Sequence, residues 1–305
     1  MSGPGEVILG DWGTSRLRLF RMRGEEIVDR ADGPGIGALN GTPAAALVAA
    51  VAPWRGEGAM SVTLCGMVGS RNGLVEVPYA ACPATLAEWR EATLSLSIEG
   101  LDIMIAPGLK TRNWLGAPDV MRGEETQIFG AIAGDPALGR GRHLIVLPGT
   151  HSKWAAIVDG RVERFHTFPT GEFFALLRDH STLARAGARE EGRDEGFDTG
   201  LARSAEFDGL LAAIFEARSA QLLDGRSHGW ALGYLSGLLL GHEAGEGLRL
   251  LGDRPERILM IGDPGLTALY RRAFAARGIQ TLDLDGNGCS IAGLIALQSS
   301  GKESH

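Results

Sequence analysis

Two short segments have the composition of phosphate-holding turns. One is Asp11-Trp12-Gly13-Thr14-Ser15 and the other is Gly149-Thr150-His151-Ser152-Lys153. Each follows an apolar run, Val7-Ile8-Leu9 or His143–Leu147, and each leads into a further strand-like segment. A glycine in such a turn lets backbone N–H groups approach an anion closely, and Thr and Ser hydroxyls add donors. Asp11 offers the carboxylate oxygen that suits Mg2+, and Lys153 offers a cation for a phosphate. Gly13, Thr14, Ser15, Gly149, Thr150, His151 and Lys153 are therefore the candidate ligands of a nucleotide triphosphate, with Asp11 as the metal ligand. Neither turn is a Walker A loop. A third segment runs from the apolar Leu259-Met260-Ile261 into Gly262-Asp263-Pro264-Gly265. A strand, a glycine and a helix start form a common seat for a nucleotide, which adds Gly262 and Asp263.

The elements around these residues repeat. Strand, Gly-Thr turn, strand, hairpin glycine and strand occur twice. The turn glycine (Gly13, Gly149) and the hairpin glycine (Gly24, Gly160) recur at one offset, 136 residues. Two matches at one spacing point to two homologous halves. Between them lie an Ala-rich helix over 43–54, a buried strand over 61–65 leading into Gly66-Met67-Val68-Gly69-Ser70, a strand over 103–106 and a helix over 124–133. Helices over 171–179, 205–220 and 227–245 follow, then the strand 258–261, a helix over 266–277 and a short helix over 291–298. The charged stretch 185–198 reads as a solvated loop, with a lid as the weaker reading. The fold class is α/β.

Composition excludes several classes. The chain has 305 residues, 44% hydrophobic and 22% charged, which is ordinary globular usage and a length for about two domains. Glycine, at 45 residues, is about twice as common as usual and implies tight turns and close backbone approaches. A formal charge of −7 gives no basic footprint for nucleic acid. Three scattered cysteines, Cys65, Cys82 and Cys289, make neither a disulfide framework nor a zinc site, and nothing reads as a signal peptide or a membrane span. A cytoplasmic protein without membrane or nucleic-acid partners is expected, with a homodimer left open.

Asp11–Ser15 and the strand after it resemble the first phosphate motif of the actin, sugar-kinase and heat-shock-protein ATPase superfamily, and Leu147–Lys153 resembles the second. Ile261-Gly262-Asp263 sits where the adenosine motif should be, although that motif usually has two adjacent glycines. The small-residue helices around Gly130 and Ala292-Gly293 correspond to its connecting helices. Within the superfamily the chain resembles the 2-dehydro-3-deoxygalactonokinases through Gly10–Ser15, Gly66–Ser70, Val120–Gln127, Leu147–Trp154 and Thr170-Gly171-Glu172. That resemblance implies a two-domain actin-like ATPase fold, a duplicated ribonuclease H-like fold with an interdomain cleft. Residues 1–135 would form a sugar-binding domain, with a C-terminal helix 290–300 packing back on it, and 136–289 a nucleotide-binding domain.

It also implies ATP- and Mg2+-dependent phosphorylation of the terminal (6-) hydroxyl of 2-dehydro-3-deoxy-D-galactonate in the De Ley–Doudoroff route of galactonate breakdown. An anionic sugar acid calls for an arginine, with Arg122 first and Arg71 second. Gly66, Met67 and Glu172 are further substrate candidates, and Trp12 is packing or a pocket wall. Glu124 and Glu125 point about 100° apart on a helix, so one of the two faces the site. Asp11 and Glu124 are the catalytic candidates. A catalytically silent sugar-acid sensor, or an enzyme of the superfamily acting on a different substrate, remains the competing reading.

Overall fold

The computed structural model describes residues 5–56, 59–184 and 190–298. In chain order its elements are β1 (Glu6–Trp12), β2 (Arg16–Arg23), β3 (Glu26–Pro34), α1 (Pro43–Val51), β4 (Met60–Gly66), β5 (Tyr79–Ala81), α2 (Leu86–Glu91), β6 (Leu94–Ile98), β7 (Leu101–Ile105), β8 (Gly108–Arg112), β9 (Pro118–Met121) and α3 (Glu124–Gly134). There follow β10 (Arg142–Leu147), β11 (Ser152–Val158), β12 (Arg161–Phe168), α4 (Thr170–His180), α5 (Arg193–Glu206), α6 (Leu210–Ala213), α7 (Glu216–Leu223), α8 (His228–Leu251), β13 (Arg257–Ile261), α9 (Pro264–Ala275), β14 (Gln280–Leu284) and α10 (Gly286–Gln298).

The chain divides into two compact units. The first comprises residues up to Arg142, the hairpin tip Ala156–Phe165 and the chain from Asp285; the second comprises His143–Ala155 and His166–Leu284. This boundary lies a few residues beyond the 135/136 division expected from sequence, and α10 starts at Gly286 rather than 290.

The two larger sheets, one built around each half of the repeat, share the same strand order. In the first it is β3-β2-β1-β4-β7, extended at one edge by β6; in the second it is β12-β11-β10-β13-β14. The first three strands of the first sheet are an antiparallel meander, while β4 pairs parallel to β1 and β7 parallel to β4. In the second, β13 pairs parallel to β10 and β14 parallel to β13. The hairpin glycines Gly24 and Gly160 both have positive φ, +60° and +74°, so the repeated spacing marks the same kind of turn twice. The core of the first unit packs Ile8, Leu17, Leu19 and Leu64 of the sheet against Leu47 and Val51 of α1.

Glycine has a specific job in the helices. Gly130 of α3 and Gly293 of α10 stand where a Cβ would come within 1.8 Å of Cys289 O and 2.0 Å of Thr126 O respectively, so these two backbones touch. In the second unit, Gly196 and Gly200 of α5 face the backbone of α8, and Gly233 and Gly237 of α8 face that of α5, each with a would-be Cβ within 2.1 Å of a carbonyl oxygen. This four-residue glycine spacing brings two helices to backbone contact.

It also explains one difference from the sequence reading. Residues 193–198 are the first turns of α5 rather than a solvated loop, because Gly196 and Phe197 pack on α8. Residues 185–189 of that stretch lie outside the described residues. The single helix expected over 205–220 is broken at Phe207–Gly209 and again at Ile214–Phe215 into the end of α5, α6 and α7.

Candidate active site

In the first unit, β1 and β4 end side by side, with Asp11 opposite Cys65 and Trp12 opposite Gly66. The ends of adjacent parallel strands are where α/β folds gather ligands. Asp11 is also paired across the hairpin with Arg18, and their side chains form an ion pair. The Asp11 side chain is 17% exposed. Arg18 donates a second hydrogen bond, 2.7 Å, to Asn287 Oδ1 at the start of α10.

Gly66 has φ +92°, and a Cβ there would stand 2.7 Å from Trp12 O and 3.3 Å from Asp11 Oδ1. Gly123, at φ +111°, lies against Gly66 Cα. Three chain segments thus meet here, two of them through glycines with positive φ.

The segment Arg122–Glu125 supplies the polar groups there. Arg122 Nη2 donates to Val77 O at 2.7 Å, and the guanidinium stacks on Tyr79, 4.2 Å from the ring centre. Its Nε and Nη1 are buried and have no acceptor. A Cβ at position 69 would sit 2.9 Å from Arg122 Nη1, so Gly69 gives the guanidinium its space. Glu124 accepts the Arg122 N–H at 3.1 Å and is half-buried. Both carboxyl oxygens of Glu125 accept the Gly123 N–H, at 2.7 and 2.8 Å. Burial, then the neighbouring Glu124 charge, push the Glu125 carboxyl up to about 8.

In the second unit, the Gly149–Thr150–His151 turn joins β10 to β11, with Thr150 and His151 exposed. The start of α4 grips it. Glu172 N–H donates to Thr150 O at 2.9 Å, and a Cβ on Gly171 would come within 2.3 Å of Gly149 O. His151 Nε2 and Glu172 Oε2 lie 2.7 Å apart. Gly262 lies beside this turn, a Cβ there reaching 3.3 Å from Pro148 O.

The first Gly-Thr turn is braced differently. Gly13 N–H donates to Arg16 O, while Gly13 O and Thr14 O accept from Ile36 and Gly37. Thr14 and Ser15 remain exposed.

Several expected roles change. Trp12 is fully buried with its N–H on Pro34 O, so it is packing rather than a pocket wall. Glu125 is buried as a local cap, leaving Glu124 as the half-exposed member of the pair. Arg71 is 86% exposed, 3.9 Å from Glu76, and reads as a solvated surface arginine. Lys153 is buried and donates to Thr167 Oγ1 at 2.9 Å, so its ammonium does not face solvent with the turn. Asp263 caps α9, accepting from Gly265 and Leu266 N–H, which spends its carboxylate on the helix. Met67 is half-buried in the tight segment after β4, where its carbonyl accepts from Ser70.

The model of the family described as 2-keto-3-deoxy-galactonokinase matches residues 11–297. The chain belongs to this family. It is 36% identical to a Rhizobium meliloti (strain 1021) protein assigned as a 2-dehydro-3-deoxygalactonokinase, over 97% of either chain. It is 34% identical to the 2-dehydro-3-deoxygalactonokinase of Escherichia coli (strain K12), over 93% of this chain and 94% of that one. A Sinorhizobium meliloti crystal structure assigned to the same activity superposes with a TM-score of 0.83 at 33% identity, covering 95% of this chain and 97% of the other. At 12% identity and a TM-score of 0.50, component A of the Acidaminococcus fermentans (R)-2-hydroxyglutaryl-CoA dehydratase shares the fold.

Sequence reasoning missed Arg18 and Tyr79. Arg18 was findable, because Asp11 and Arg18 are equidistant from a hairpin turn centred on Thr14-Ser15, which places them opposite each other. Tyr79, far from Arg122 in sequence, left no such signal. Among the described residues no group of three His, Cys, Asp or Glu could hold a metal, and no helix is long and apolar enough to cross a membrane. A lone carboxylate such as Asp11 still fits Mg2+, which keeps several waters and takes its other ligands from substrate phosphates.

Proposed function

We propose that this protein transfers the terminal phosphoryl group of ATP to the 6-hydroxyl of 2-dehydro-3-deoxy-D-galactonate, a step of galactonate breakdown. The observation that carries the site assignment is Arg122: a guanidinium stacked on Tyr79, with room made by Gly69 and two donor nitrogens lacking an acceptor. A guanidinium with unsatisfied N–H donors carries the charge and donors that suit the carboxylate of a sugar acid.

In this reading the first unit holds the sugar acid, with Gly66 and Gly123 letting it come close to the backbone. The second holds the ATP phosphates on Gly149–His151 and the start of α4, with Gly262 toward the nucleoside. Gly13–Ser15 adds hydroxyl donors. Asp11 holds Mg2+ directly or through water, and the ion supplies charge neutralisation on the phosphates when bound. The proton of the attacking hydroxyl goes to a carboxylate. Glu125, with its carboxyl raised to about 8, is protonated at neutral pH and is a poor acceptor, which leaves Asp11, with Glu124 as the second choice. Phosphoryl transfer depends mainly on positioning, so loss of the base costs less than loss of the phosphate-holding parts. The reaction's need for ATP and three unpaired cysteines suit the cytoplasm.

Purified protein with ATP and Mg2+ should release ADP with 2-dehydro-3-deoxygalactonate and far less with its gluconate epimer or without sugar acid. Binding of the sugar acid with no ADP release would instead favour a sensor of the same fold.

A further inference from the structure

Glu243 lies in the interior of α8 and is 3% exposed. Its Oε1 accepts the Trp154 indole N–H at 2.8 Å, and its Oε2 accepts the Tyr270 O–H at 2.7 Å. The hydroxyls of Thr170 and Ser152 also lie near this carboxyl and favour its charged form. Ser152 Oγ and Tyr270 Oη are 2.6 Å apart, so the Ser152 hydroxyl donates to Tyr270, whose own proton goes to Glu243. One turn along α8, Gly247 lies against the Trp154 ring, 2.6 Å from a would-be Cβ.

The donors come from the pieces that frame the second Gly-Thr turn. Ser152 and Trp154 open β11 directly after it. Thr170 begins α4 and precedes Gly171 and Glu172, which touch Gly149 and Thr150. Tyr270 belongs to α9, whose first turn follows Gly262.

Burial raises the Glu243 carboxyl, and its polar neighbours offset that only in part. A buried carboxylate is a costly way to gain stability, since an apolar side chain of similar volume often does as well or better. What the directed bonds from Trp154 and Tyr270, with Ser152 bonded to Tyr270 in turn, provide is a fixed geometry. From this network we propose that Glu243 is the positioning residue of the phosphate turn, locking β11 and the start of α4 at the spacing that Gly149–His151 needs to hold the ATP phosphates. The proposal rests on the reading of that turn as the nucleotide site.

The test uses the full chain and four variants, Glu243→Gln, Tyr270→Phe, Ser152→Ala and, as a probe of the turn itself, Thr150→Ala. Calorimetric titration with ADP, without sugar acid, gives nucleotide affinity; kinetics give KM for ATP and for the sugar acid. Glu243→Gln is expected to weaken ADP binding and raise KM for ATP about tenfold while leaving KM for the sugar acid within about twofold. Tyr270→Phe and Ser152→Ala are expected to act in the same direction with smaller size, and they decide the matter if Glu243→Gln does not fold. If Thr150→Ala weakens ADP binding and the network variants lower only the melting temperature, the positioning role is overturned and Glu243 is structural. If Thr150→Ala leaves ADP binding unchanged, the turn is not the nucleotide site, and the underlying reading falls with the proposal.

Discussion

Arg122 concentrates the specificity argument in one side chain. Its Nη2 is spent on Val77 O, and its Nε and Nη1 have no acceptor. Lysine keeps the charge but loses the fork and the stack on Tyr79. Arg122→Lys should therefore raise KM for the sugar acid by roughly 10- to 100-fold, the worth of a hydrogen bond to a charged group; an unchanged KM would remove Arg122 from the sugar site. Glu125 gives a prediction of opposite character. Its folded carboxyl titrates near 8 against an ordinary 4.5. Between those values the unfolded chain has lost a proton that the folded chain keeps, so this residue lowers stability progressively as pH rises from about 5 to 8. Glu125→Gln has no such proton and retains an acceptor for Gly123 N–H. In urea titrations its stability relative to the parent should rise from pH 5 to pH 8, and parallel curves would show that Glu125 is ionised in the fold. At this scale the motifs were legible. Burial was not, which is why Trp12, Lys153 and Glu125 changed roles.

Helices α3 and α10, and α5 and α8, illustrate how glycine serves an element. Two substitutions on one helix separate its two effects. Gly130→Ala puts a methyl group 1.8 Å from Cys289 O, so the helices must move apart. It should cost about 1–3 kcal/mol or more, as overpacking does. Gly134→Ala, at the end of the same helix, meets nothing within 4 Å. It should be neutral or stabilising by up to about 1 kcal/mol, because alanine restricts the unfolded chain and favours helix. Chemical denaturation of the two variants checks both, and equal effects would deny the backbone contact. The small-residue character of α3 and α10 was readable in the sequence. The start of α5 was not, because charged residues spaced with glycine look like a loop until α8 is seen to cover those glycines. Likewise β6 was missed, although Leu94-Ser-Leu-Ser-Ile98 alternates as an edge strand should.

At the scale of the molecule, the proposed function places nucleotide and sugar acid on different units. Changes in the second unit should act on nucleotide and changes in the first on sugar acid. Thr150→Ala should raise KM for ATP about tenfold with little effect on KM for the sugar acid, and Arg122→Lys should do the reverse. Steady-state kinetics with each substrate varied would detect a crossed pattern, which would overturn the division of labour. The sequence by itself determined the α/β class, the duplication, the two Gly-Thr turns and the family, because these depend on residue types at short range and on one repeated spacing. Only the tertiary structure decided which charged groups face solvent and which face one another. Arg122 finds Val77 and Tyr79, and Glu243 gathers Ser152, Trp154, Thr170 and Tyr270, from positions far apart in the chain. Such pairings come from packing of strands and helices, and a buried carboxylate has no local pattern that distinguishes it from an exposed one on the same helix.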